Sequence, residues 1–177
     1  ILTESELRTV CRANRWAFFN QIPIGSMTDE NGFTMTPEAR TTFLREVGYG
    51  TLALARENEA HAIPMSYGYD GDRRFFFQFG RLDGGTKNEF LETTVRARLV
   101  VAEMDGVHEW RSVVAAGSLS SVSEVDAAEA FERLATDASI PHLPAFDTSS
   151  EDVEFELVRM DVDEITGRRG VAHQDAV

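Results

Sequence analysis

Between Gly50 and Leu119 the chain is a succession of short apolar runs set apart by turn residues, and several of these runs are apolar on both faces. Phe75, Phe77 and Phe79 fall on one side of an extended strand, Phe76 and Gln78 on the other. Val113 and Ala115 likewise oppose Val114 and Ala116. Side chains of a strand alternate between two faces, so such a strand is stable only where both faces are covered. An apolar outer wall left bare would be an association site. The cover must be a helix, a cofactor or a second subunit.

The runs GTLALAR, HAIPMSYGY and RFFFQF read as three consecutive strands, with Asp70-Gly71 a hairpin signal before the third. Residues 87–95 read as a short helix. ARLVVAE and HEWRSVVAAGSL are two more strands joined at Asp105-Gly106. Val125, Ala128, Phe131 and Leu134 mark an amphipathic helix over 124–137. A Pro- and Ser-rich loop follows, and VEFELVRMDVDEI is the last strand, with a change of parity between Leu157 and Val158 that predicts a bulge there. Before the strands, Thr36-Pro37-Glu38 is a helix start with cap, proline and acid in order, and Gly48 is its stop. The fold class expected is mainly β: six antiparallel strands rolled into a closed barrel, with peripheral helices. Residues 1–35 form a separate arm, opened by the capping box Thr3-Glu4-Ser5-Glu6 with Leu7, Val10 and Cys11 on one helix face; residues 36–177 form the barrel domain.

Charge narrows the partners. The net charge is −13 over 177 residues, which opposes binding to nucleic-acid phosphates or anionic lipid. No apolar run is long enough to span a bilayer and no signal peptide is read, so no membrane partner is expected. The single Cys11 excludes an internal disulfide and points to a cytoplasmic setting. His61, His108, His142 and His173 have no metal-ligand spacing, so no metal is expected. Lysine occurs once, at position 87, against sixteen arginines. Many acids, with arginine in place of lysine, suit a halophilic setting where salt screens self-repulsion; an acidic mesophilic protein is the alternative.

The one lysine stands in Gly84-Gly85-Thr86-Lys87, at the start of a helix. Glycines permit close backbone approach, a helix start presents N–H groups, Thr86 adds a hydroxyl and Lys87 a positive charge. This is a phosphate-binding chemistry, although by itself such a stretch is more often a solvated loop. The phenylalanines of 75–79 are, taken alone, barrel core. Arg73-Arg74 ahead of them does not make a base-stacking surface in so acidic a chain.

The arrangement LALARENEAHAIPMSYGYDGDRRFFFQFG, then GGTK, then EWRSVVAAG resembles the FMN-binding split β-barrel proteins, relatives of pyridoxamine 5'-phosphate oxidase, and within them the nitroimidazole-resistance type. The resemblance covers roughly residues 40–167. It implies a six-stranded split barrel and a homodimer with FMN at the subunit interface. It further implies flavin contacts from the main chain of Pro64, Met65 and Ser66, from Gln78, Phe79 and Gly80, and from Trp110, Arg111 and Ser112 near or across the interface. Thr86 and Lys87 would take the FMN phosphate. Two departures stand out: Gln78 occupies a place where the nitroimidazole-type proteins resemble one another in a histidine, and Arg168, Arg169 and His173 do not reproduce the arginine-x-histidine that takes the substrate phosphate in pyridoxamine phosphate oxidases. The resemblance implies an FMN-dependent oxidoreductase acting on a small molecule other than pyridoxamine phosphate. A deazaflavin-dependent reductase, a flavin carrier or sensor without turnover, and a haem-binding split barrel are the alternatives.

The charge balance carries its own test. Self-repulsion opposes the compact state, so thermal melts across a potassium chloride series should show the midpoint rising from low to molar salt. A flat or falling midpoint would remove the halophile reading without touching the fold.

Overall fold

The computed structural model describes residues 33–81, 86–106, 109–139 and 154–170. The expected helix near residue 3, most of the irregular arm, Gly84-Gly85 and the loop holding His142 lie outside these residues. The elements are α1 (Pro37–Val47), β1 (Tyr49–Arg56), β2 (Glu59–Ser66), β3 (Gly68–Tyr69), β4 (Arg74–Arg81), α2 (Thr86–Thr93), β5 (Ala97–Met104), β6 (Trp110–Ser121), α3 (Ala127–Asp137) and β7 (Glu154–Arg169). Every strand pairing is antiparallel, in the order β2-β1-β5-β6-β7-β4-β3. Phe33–Met35 extend the domain by pairing with the end of β7, where Met35 N donates to Gly167 O and Arg169 N to Phe33 O.

The sheet has seven strands where six are expected, and it is not closed. Both differences arise at Tyr67. HAIPMSYGY reads as one strand, but the chain breaks there into β2 and β3. Tyr67 is fully buried, its phenol donates to Leu44 O at 2.8 Å, and its N–H donates to Gly48 O rather than into a ladder. The next residue, Gly68, lies under α3, where a Cβ would come within 2.5 Å of the Arg133 backbone. One aromatic pinned to α1 and one glycine pressed by α3 turn the strand out of register. The result is a split: among the described residues β2 pairs only with β1, and Phe77–Arg81 of β4 pair only with β7. Pro64, which has no N–H to give, sits in the edge strand β2 opposite Thr51, a place a proline tolerates.

The inner face carries Leu52, Leu54, Phe75, Phe77, Phe79, Leu99, Val101, Val113, Val158 and Met160, all buried in one cluster with Phe43 and Leu44 of α1 and Phe90 of α2. The two helices sit at opposite ends of this core. At the α1 end the Arg111 guanidinium lies 4.7 Å from the Phe43 ring centroid. At the α2 end His61 and Arg56 both lie on the Phe90 ring, at 5.2 and 4.8 Å.

Outside, α3 covers β3 and β4. Phe76 faces outward yet is completely buried, with the Arg74 guanidinium 5.7 Å from its ring. Arg74 is tied to Glu129 on α3 at 2.9 Å, and Arg159 of β7 to Asp126 at 3.1 Å. The rest of the outward face keeps exposed apolar groups: Tyr49, Val100, Met104 and Phe155.

Two local readings resolve differently. The Asp70-Gly71 turn forms as expected: Asp70 Oδ1 accepts from Asp72 N and Arg74 N, and Gly71 takes a positive φ of 96°. The bulge of β7 is not at Leu157–Val158. Ala116 pairs with Glu164 and Gly117 with Val162, which leaves Asp163 as the extra residue, held by Arg96. Leu157 is simply an apolar residue on the outward face, like Phe155, so no change of parity was needed there.

Gly48 ends α1 at φ +65°, and a Cβ there would fall 1.7 Å from Asp137 O. Gly48→Ala should therefore cost more than ~1 kcal/mol, and at this chain length each kcal/mol lowers Tm by roughly 2–4 °C. Gly106→Ala, whose Cβ would meet nothing nearer than 3.8 Å, should stay within about 0.5 kcal/mol of wild type. Paired thermal melts compare the two.

Candidate functional site

β4 delivers Gln78, Phe79 and Gly80 to the α2 end of the barrel on an edge whose other side has no ladder partner among the described residues. Alternation splits this trio. Phe79 points into the core and is completely buried; Gln78 points outward and is exposed. Side chains from both cannot meet one ligand face, whereas main-chain groups of the open edge can.

α2 starts at Thr86, so Lys87 lies in its first turn. The Lys87 Nζ sits 5.3 Å from the Phe79 ring centroid. Burial pushes its pKa below the usual lysine value, and among the described residues no carboxylate pairs with it. The contrast with the arginines is informative. Arg56, Arg74, Arg96, Arg111 and Arg159 all sit in ion pairs with nearby acids. In a chain with 30 acidic residues a partner is easily come by. A half-buried cation held over an aromatic face, with no carboxylate partner among the described residues, is a candidate site for an anion.

The other candidates fall at the α1 end. Pro64, Met65 and Ser66 close β2: Pro64 is exposed on the outward face and Met65 packs inward against the core. Trp110, Arg111 and Ser112 open β6. Arg111 turns inward and is fully engaged, with Glu103 at 2.7 Å, Glu46 at 3.2 Å and the Phe43 ring beneath it. Trp110 and Ser112 lie on the outward face, opposite Met104 and Ala102. From Arg111 to Ser121 at the other end of β6 is roughly 30 Å of strand. Within one chain, the structure thus joins Phe79 with Lys87 and sets the Trp110 group far along the barrel from them.

Sequence reading missed one feature at the α2 end. Leu91 and Glu92 of α2, Leu119, Ser120 and Ser121 of β6, and Glu156 and Val158 of β7 line a cleft of about 250 Å3. Only the pairing of distant strands assembles it; no stretch of sequence announces it. Among the described residues no cluster of His, Cys, Asp and Glu could hold a metal ion, and no helix is long and apolar enough to cross a membrane.

An open antiparallel sheet with a split edge and peripheral helices defines a class of fold, and the comparisons place the chain within it. Residues 36–169 match the family model described as pyridoxamine 5'-phosphate oxidase, and the chain belongs to that family. No match was found among curated proteins. Solved structures share the fold. A FAD-binding protein from Mesorhizobium loti aligns with TM-score 0.57 at 19% identity, over 76% of this chain and 95% of that one. A FAD-binding protein from Mycobacterium smegmatis aligns with TM-score 0.55 at 20% identity, over 78% and 97%. A protein assigned to 5-nitroimidazole antibiotic resistance from Bacteroides thetaiotaomicron aligns with TM-score 0.55 at 13% identity, over 76% and 85%.

Proposed function

We propose that this protein binds a flavin through its ribityl 5'-phosphate, with FMN the minimal ligand, and works as an oxidoreductase on a small molecule. The observation that carries the reading is Lys87: a lone, half-buried lysine over Phe79, without an acidic partner among the described residues, at the start of α2. The residues fit the group. A phosphate dianion would supply a counter-charge where the described residues offer none, and first-turn N–H groups would add donors. Among the described residues the outer edge of β2 and the edge of Phe77–Arg81 have no ladder partner, which leaves main-chain N–H and C=O groups for a flat heteroaromatic ring. The FAD-binding proteins of the same fold and the family itself support a flavin over other phosphorylated ligands. When bound, the flavin supplies hydride or electron transfer, and the chain binds, orients and shields it.

Lysine rather than arginine suits this place. Its compact ammonium on a flexible stem fits a crowded turn where a planar guanidinium does not. Lys87→Ala removes a charge-assisted contact worth about 1.5–3 kcal/mol, so FMN binding should weaken roughly 10- to 150-fold. Riboflavin lacks the phosphate and its affinity should not move. Fluorescence titrations of both ligands on both proteins decide it. Equal weakening of the two would make Lys87 a support of the fold, and no weakening would place the phosphate elsewhere. The same preference for FMN should be full near neutral pH, where Lys87 is charged and the phosphate is a dianion, and fade as pH rises through the lysine's pKa, which burial has lowered.

The outward face motivates a homodimer. Val100 lies between Thr51 and Val114 in one row across β1, β5 and β6, with Tyr49, Ala102 and Met104 beside it, and α3 does not reach them. A two-fold interface is the commonest way to cover such a face. It would also bring Trp110 and Ser112, which lie on it, against a partner. Light scattering should return twice the 19.7 kDa chain mass, and Val100→Glu should reduce that to the monomer. A wild type that remains monomeric with flavin bound would remove the shared-site arrangement.

A further inference from the structure

A primary amine condenses with an aldehyde, and the chain carries one such side chain, Lys87, among sixteen arginines. A guanidinium stays protonated and has no free electron pair for the step. What an amine does depends on its surroundings. Lys87 precedes Phe90 and Leu91 by three and four residues, so it stands on the side of α2 that packs toward the core, where Phe90 is buried and Leu91 partly so. The side chain is half-buried, and its Nζ lies 5.3 Å from the centroid of the completely buried Phe79 ring.

These surroundings favour the neutral amine. Among the described residues no carboxylate pairs with Lys87, and Glu89, the acid of the same helical turn, is held by Arg56 at 3.2 Å. Burial alone lowers the lysine's pKa, with no charged neighbour to offset it. The aromatic face attracts an ammonium without neutralising it. A desolvated lysine without a counter-charge is the setting in which the amine becomes a nucleophile toward carbonyl compounds. Phe79 and Leu91 beside it are apolar, which suits an aldehyde with a short alkyl chain.

We propose that Lys87 is a carbonyl-modification site: a small apolar aldehyde condenses with its Nζ, and the adduct excludes the phosphate of a flavin. The reactivity stands on the surroundings of Lys87; the exclusion rests on the flavin reading above. The Nζ electron pair attacks the carbonyl carbon, and a proton passes from nitrogen to the carbonyl oxygen. The carbinolamine then loses water, leaving C=N where C=O stood. No oxidant or reductant enters, and hydrolysis reverses the step. A neutral imine nitrogen keeps no N–H to donate to a phosphate oxygen. The probe is propanal with sodium cyanoborohydride, whose hydride adds to the imine carbon and traps it as N-propyl-lysine. Peptide mapping by mass spectrometry reads position 87 apart from the α-amine. The full chain without flavin should be labelled at Lys87 faster than the N-acetylated peptide of residues 84–90 under the same conditions. FMN at ten times its Kd should slow that labelling roughly tenfold. Labelling no faster than in the peptide overturns the modification site and leaves the flavin reading intact. Fast labelling that bound FMN does not slow keeps the modification site, overturns the exclusion and removes Lys87 from the flavin reading. Fast labelling in a chain that binds no FMN keeps the modification site and removes the flavin reading altogether.

Discussion

The burial of β4 on both faces is the constraint from which the rest of the structure follows. Phe75, Phe77 and Phe79 need an inner core, and Phe76 needs an outer cover. The inner requirement curls the sheet so that β2 comes round toward β4. The outer one recruits α3, whose Glu129 and Asp126 are tied to Arg74 and Arg159 on the strands beneath. To seat α3 the chain uses Gly68, since any side chain there would strike the helix backbone. Tyr69 N then donates to the buried Asp137 carboxylate at the end of that helix. Burying a carboxylate is tolerable here because it is hydrogen-bonded, and the bond fixes α3 along β3.

The same packing opens the split. An antiparallel sheet that closes on itself has no edges. Here β3 is pulled outward under α3 and Tyr67 toward α1, so β4 carries an unpaired edge toward the end where α2 begins. The edge is an aggregation liability in a bare sheet and an asset where a flat ligand can take its main-chain groups. The lone lysine stands near it, its Nζ 5.3 Å from the Phe79 ring centroid, with no carboxylate partner among the described residues.

Arg56, Arg74, Arg96, Arg111 and Arg159 sit in ion pairs. Arg111 illustrates this, lying flat on Phe43 between Glu46 and Glu103, where a long stem and planar head seal the end of the core. A resemblance carried over residue by residue assigns Arg111 to the flavin along with its neighbours. The alternation of the strand separates it from Trp110 and Ser112, which share the outward face.

From sequence alone the order of strands and helices, the Asp70-Gly71 turn, the cap and stop of α1 and the helix start at Thr86-Lys87 were legible. These depend on local rules: alternation, turn residues and capping act over a few positions and leave their mark in order along the chain. The break at Tyr67, the bulge at Asp163 and the open sheet were not legible. Each is decided by a partner far away in sequence: Leu44 for the Tyr67 phenol, α3 for Gly68, and Asp161 O, 2.0 Å from where a Cβ on Gly117 would lie. The cleft is of the same kind, since Leu91, Ser121 and Glu156 come together only through the β6–β7 and β4–β7 registers. The sequence determined what each segment is and put the one lysine at the start of α2. The tertiary structure decided which edges remain unpaired and what stands beside that charge, because long-range packing, not local preference, sets where strands stop pairing.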